Sequence, residues 1–114
     1  MTLRFSEFCV DAADPEALAA WWSAALGWPA DVEDDMHVVR PPDVGAPLWT
    51  FIAVPEAKTV KNRVHFDFVP DDQQAEVDRL IALGARHVDV GQGEQSWVVL
   101  ADPEGNEFCV LAAR

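Results

Sequence analysis

Asn62-Arg63-Val64-His65-Phe66-Asp67-Phe68-Val69 is the stretch from which the rest of the chain is read. Apolar and polar side chains alternate through it, with Val64, Phe66 and Phe68 on one side and Arg63, His65 and Asp67 on the other. An extended strand sends successive side chains to opposite faces, so this period of two predicts a strand over 62–69 with one face on a packed core. The other face carries a guanidinium, an imidazole and a carboxylate in consecutive positions. Such a row suits the wall of a polar pocket. A half-exposed strand with ordinary surface charges is the plainer alternative.

Working outward, 55–62 is a connector that brings Lys58 and Lys61 into an otherwise acidic chain. Upstream of it, the alternation of 4–11 predicts a first strand, with Phe8 and Val10 on one face and Glu7, Cys9 and Asp11 on the other. Asp14-Pro15-Glu16 opens a helix: Asp14 can cap the free amides and Pro15 suits the first helical position. Leu18, Trp21, Trp22, Ala25 and Leu26 recur at helical spacing until Gly27 ends the segment, and the tryptophan pair reads as core packing. Short strands follow over 28–33, 36–40 and 48–54, with a turn at Asp34-Asp35 and a Pro/Gly loop from Pro41 to Gly45. Downstream, Asp71 and Gln74 have the spacing of a capping box before a second helix, with Val77, Leu80, Ile81 and Leu83 as its buried stripe and Gly84 as its end. Strands over 86–90, 96–101 and 107–112 complete the chain. The last two are joined by Asp102-Pro103-Glu104-Gly105-Asn106, a tight turn.

Composition bounds the classes. The 114 residues suit one domain spanning 1–114, and an apolar fraction of 50% with six Phe and five Trp marks it as globular rather than disordered. A formal charge of -12 argues against nucleic acid, whose phosphates require a basic surface. No apolar run approaches the roughly 20 residues of a membrane span, and the N-terminus enters a strand pattern without a signal-peptide core. Cys9 and Cys109 provide no disulfide framework. The expectation is a cytoplasmic protein with free thiols, no membrane association and a small-molecule ligand.

The order strand, helix, three strands occurs twice. Glu7 stands opposite His65 and Asp14 opposite Asp72, both 58 positions apart, and Gly27 stands opposite Gly84 at 57. Two such units bury their apolar faces by pairing. The expected fold is therefore α+β: two paired βαβββ modules, about 1–56 and about 62–114, forming a curved mixed sheet around a central cavity with the helices outside. Glu7 and His65 then occupy equivalent points on the face of the sheet turned away from the helices, where a ligand cavity would sit.

These units resemble the vicinal oxygen chelate superfamily, which holds glyoxalases, bleomycin-resistance proteins and extradiol dioxygenases. Asp14-Pro15-Glu16-Ala17-Leu18 with Trp21-Trp22 and Leu26-Gly27-Trp28 is similar to the small glyoxalase-like domains within it. So are Lys61-Asn62-Arg63-Val64-His65-Phe66-Asp67, Leu83-Gly84-Ala85 and Asp102-Pro103-Glu104-Gly105-Asn106-Glu107-Phe108-Cys109. The resemblance covers nearly the whole chain and points to the fold more than to an activity, because the superfamily hosts many reactions.

The resemblance implies a divalent metal held by one ligand from each of four strands, acting as a Lewis acid on a substrate's oxygens. Carried onto this chain, the first position falls on Glu7, the second near Ile52, the third on His65 and the fourth on Cys109, where such enzymes have Glu. Ile52 cannot ligate, so the metal set reduces to Glu7, His65 and Cys109, acceptable to zinc and open to nickel, manganese or iron. The residues favour a site without metal, in which Glu7 and His65 form the catalytic acid–base couple or an ion pair. Arg63, Asp67 and Cys109 are the candidate ligand-binding residues, with an Arg63–Asp67 ion pair as the structural alternative. His37 and His87 read as surface or structural, and Trp49, Phe51 and Trp97 as core.

The function implied is a glyoxalase-like small-molecule protein, a lyase or isomerase acting on a small oxygenated metabolite. The alternatives are a protein of the bleomycin-resistance type that sequesters a drug or metabolite without turnover, and a partner-binding module. Relatives of this kind assemble as homodimers, and the composition permits one here.

Overall fold

The computed structural model describes residues 2–114 as two compact units, 2–57 and 58–114, each built as β-α-β-β-β. The first holds β1 (Glu7–Ala12), α1 (Pro15–Leu26), β2 (Ala30–Glu33), β3 (Met36–Val39) and β4 (Leu48–Ala53). The second holds β5 (Phe66–Phe68), α2 (Gln73–Leu83), β6 (Arg86–His87), β7 (Val98–Ala101) and β8 (Glu107–Val110). Each unit forms one four-stranded mixed sheet, in the order β1-β4-β3-β2 or β5-β8-β7-β6. Among the described residues no helix is long and apolar enough to cross a membrane.

In the first unit α1 starts where the sequence places it. The Asp14 carboxylate accepts from the Ala17 amide at 3.1 Å, Pro15 takes the first helical turn, and Gly27 closes the helix at φ 69°. The helix buries Leu18, Trp22 and Ala25, spaced four and three apart along one face. Trp22 packs on Trp49 of β4 with ring centroids 5.3 Å apart and is core as expected, whereas Trp21 is only half-buried. β4 lies between β1, its parallel partner, and β3, and Trp49, Thr50 and Phe51 are all buried there. Asp34 and Asp35 both have positive φ, the geometry of a two-residue hairpin turn that matches strand twist. The first strand begins at Glu7 rather than Arg4, and Phe5 is left exposed, its ring 4.9 Å from that of Phe8.

The second unit repeats the plan with a 58-residue offset between its capping residues, Asp14 and Asp72. The α2 cap is Asp72, whose carboxylate accepts from the Ala75 amide at 3.1 Å, one position later than the Asp71–Gln74 box expected from the sequence. Gln74 instead donates along the helix to Asp78 at 2.8 Å. Val77 and Leu80 are buried, whereas Ile81 and Leu83 are exposed, so the apolar stripe is narrower than its periodicity suggested.

β5 is the larger departure. The strand expected over 62–69 contracts to Phe66–Phe68, and Val64, assigned to the core face, is 74% exposed. The ladder with β8 begins only at Phe66↔Phe108. Before it, the Asn62 amide donates to the Glu107 carboxylate at 2.7 Å, so a side-chain acceptor replaces ladder bonding at that point.

Candidate functional site

The parity of three neighbouring strands composes one wall of the second unit. Asp67 of β5 pairs with Cys109 of β8, and Cys109 pairs in turn with Val99 of β7. Side chains two residues away along each strand share that face, which adds His65, Glu107, Leu111 and Trp97. These seven residues, with Lys61, Val90 and Gln92, line a pocket of about 310 Å³. Phe66, Phe68, Phe108 and Val110 have the opposite parity, and Phe68 meets Phe108 edge-on at 5.9 Å.

His65 Nε2 lies 3.3 Å from Asp67 Oδ1, with the two side chains 42% and 48% exposed. This contact takes the carboxylate that the sequence offered to Arg63. Arg63 itself is exposed and outside the pocket lining. Cys109 is buried beside them. Burial first, then the charge of Asp67 and its hydrogen bond with the thiol, push the Cys109 pKa up to about 11, against a smaller lowering by Lys61. The thiol therefore keeps its proton at neutral pH.

Glu107 is held differently. Burial acts to raise its pKa, but the Asn62 amide and the Lys58 ammonium, at 2.7 and 2.8 Å, together outweigh it and leave the carboxyl below its ordinary range. The connector is thereby fastened to β8 at the edge of the pocket. On the far side, the Gly91–Gly93 turn is pinned by Gln92, whose side-chain oxygen accepts from the Val90 amide at 2.8 Å.

One nitrogen, one oxygen and one sulfur ligand atom, from His65, Asp67 and Cys109, lie within 4.8 Å of one another. This donor set fits a borderline-soft divalent ion such as zinc, once the thiol gives up its proton. Asp67 was expected as a ligand-binding residue rather than a metal ligand, and the structure places it with His65 and Cys109 in this cluster. Glu7, the third member of the metal set expected from sequence, stands on β1 of the first unit, half-buried and accepting from the Ser6 hydroxyl at 3.1 Å.

The first unit also corrects the second ligand position. In register, Cys9↔Thr50 is the counterpart of Asp67↔Cys109, so the first-unit equivalent of Cys109 is Thr50 rather than Ile52. Thr50 Oγ1 lies 3.1 Å from Cys9 Sγ and donates to the Phe8 carbonyl at 3.2 Å. A hydroxyl engaged in this way is a structural pair.

Sequence reasoning missed Lys61, Gln92 and Glu107 as pocket residues, and placed Trp97 in the core although its indole lines the pocket. Trp49 and Phe51 are buried as expected, and His37 and His87 lie outside the pocket. The alternation Glu107-Cys109-Leu111 carried the missing signal, because Cys109 had already been assigned to that face.

The profile of the family described as "Glyoxalase-like domain" matches residues 7–111. No curated protein sequence matches the chain. Among solved structures, a glyoxalase/bleomycin resistance protein/dioxygenase family enzyme from Burkholderia phytofirmans PsJN is similar at 19% identity and TM-score 0.71, covering 96% of this chain and 98% of its own. The fosfomycin resistance protein FosX from Mesorhizobium loti is similar at 14% identity and TM-score 0.70, covering 97% and 92%. The oxidase ChaP-H2 is similar at 18% identity and TM-score 0.71, covering 100% and 96%. At these identities the structural likeness speaks to fold alone. With the family profile spanning 7–111 and both units built as β-α-β-β-β, the chain belongs to the glyoxalase-like domain family.

Proposed function

We propose that this protein is a small-molecule enzyme of the lyase or isomerase type, using His65 for proton transfer on a small oxygenated metabolite bound in the second-unit pocket. The observation that carries this reading is the 3.3 Å contact between His65 Nε2 and Asp67 Oδ1 at the pocket wall. A carboxylate on one ring nitrogen fixes the tautomer and leaves Nδ1 as the nitrogen that accepts or returns a substrate proton. The Cys109 thiol also hydrogen-bonds with the Asp67 carboxylate.

A divalent ion of the kind found in this superfamily would be held by His65, Asp67 and Cys109. When bound, it supplies Lewis-acid polarisation of a substrate oxygen. Binding and orientation belong to the chain's own residues in either case.

The test is proton exchange. Incubation with hydroxyacetone or lactaldehyde in D₂O, followed by NMR, should show deuterium entering the carbon next to the carbonyl. His65→Gln should lower that rate by a factor of about 10² to 10⁴ with the fold intact. Saturable binding with no exchange, unaffected by that variant, overturns the enzyme reading. The sequestering function, which the mainly apolar wall of Val90, Trp97, Val99 and Leu111 favours, would then take its place.

A further inference from the structure

We infer that the second-unit pocket selects a planar aromatic anion, its ring on Trp97 and its anionic oxygens at Lys61. The inference rests on the reading of this pocket as the ligand site, and names the class of molecule that fits it. Trp21, Trp22, Trp28 and Trp49 all have ring neighbours with centroids about 5 to 6 Å away. Among the described residues Trp97 alone of the five tryptophans has none, and it stands half-buried in the pocket wall. Val90, Val99 and Leu111 line the same pocket, an apolar surround in which a flat ring gains from stacking.

Charge supplies the second half. With 20 acidic and only eight basic side chains, the chain as a whole repels anions, so any unmatched cation is informative. Both carboxylates of the pocket already have protein partners: Glu107 has Lys58 and the Asn62 amide, and Asp67 has His65 and the Cys109 thiol. Lys61 has no carboxylate partner among the described residues, its ammonium meeting only the Asn62 carbonyl at 3.4 Å. Lys61 is therefore the charge at the pocket that a bound anion can meet. A volume of about 310 Å³ is at the small end for ligand sites, which suits one or two fused rings.

Calorimetric titration of the full chain with 1-naphthoate, cyclohexanecarboxylate and benzylamine tests this. One equivalent of 1-naphthoate should bind, at least fivefold more tightly than cyclohexanecarboxylate, with no detectable benzylamine binding. Trp97→Leu and the exposed Lys61→Gln should each weaken naphthoate about three- to tenfold, with circular dichroism unchanged. Equal binding of the two acids, tighter binding of the amine, or indifference to both variants overturns the ligand class. If the proton exchange by His65 persists in that event, the enzyme reading stands without it. If no probe of any class binds, the pocket itself is overturned as a ligand site.

Discussion

Replacing Glu107 by Gln should cost this protein about 2 kcal/mol of stability. The Glu107 side chain is 10% exposed and accepts from the Lys58 ammonium, itself 17% exposed, at 2.8 Å and from the Asn62 amide at 2.7 Å. Glutamine keeps one oxygen for the amide but loses the charge that both donors face. A hydrogen bond to a charged group contributes about 1.5–3 kcal/mol, and Lys58 can recover part of its loss by swinging into water. For a chain of 114 residues an unfolding entropy near 2.1 cal/mol/K per residue turns that cost into a fall of about 8 °C in Tm. Adding Lys58→Met should cost less than the two single changes summed, with a coupling of about 1 kcal/mol. The pH dependence follows from the lowered carboxyl pKa. A depressed folded-state pKa means that the contribution is fully present above the unfolded value, near 4.5, and is lost as pH falls through the folded one. The gap between wild type and variant in urea unfolding should therefore be constant from about pH 6 to 8 and close below about pH 4.5. A gap under about 0.5 kcal/mol at neutral pH, or one that persists unchanged in acid, would refute the tether.

Other outcomes follow from the same geometry. In a Cys9→Ser background the thiolate absorbance of Cys109 should appear with a midpoint of about 11, and its alkylation at pH 8 should be far slower than that of the exposed Cys9 in wild type. The same raised pKa implies stability that is full below the unfolded thiol value of 9.0 and falls as pH rises toward about 11, because the unfolded chain releases the proton first. Asp72→Ala should destabilise by about 1 kcal/mol through loss of the α2 cap, while Asp71→Ala should change stability by no more than a few tenths. Zinc, measured by mass spectrometry after dialysis, should bind more tightly as pH rises and be lost in His65→Ala; equal content in the variant would place the ion elsewhere.

The fold was legible because its punctuation is chemical. Asp14, Pro15 and Gly27 mark one helix, Asp72 and Gly84 the other, and the near-constant offset between them displays the duplication before any strand is drawn. What the sequence obscured was where alternation stops meaning strand. Residues 62–65 alternate as well as 66–68 do, yet Asn62 bonds to the Glu107 side chain and Val64 faces solvent. Tertiary hydrogen bonding decides such an end, and local pattern does not contain it. His65, Asp67 and Cys109 were readable as site residues from parity and family resemblance. Their partners were not, because Lys58, Lys61 and Gln92 reach the site from loops whose paths depend on contacts distant in sequence. Trp97 was misplaced for a related reason: an aromatic beside a strand fits core or pocket equally well until the register of β7 on β8 sets its face.

On this reading the second-unit pocket is where small molecules are met. Amide chemical-shift mapping with 1-naphthoate tests it most directly, without requiring the natural ligand. Saturable shifts clustered at Lys61, His65, Asp67, Val99 and Cys109, with the Trp97 indole signal moving in step, are the expected result. Shifts centred on other residues, leaving these unmoved at saturation, would contradict the assignment.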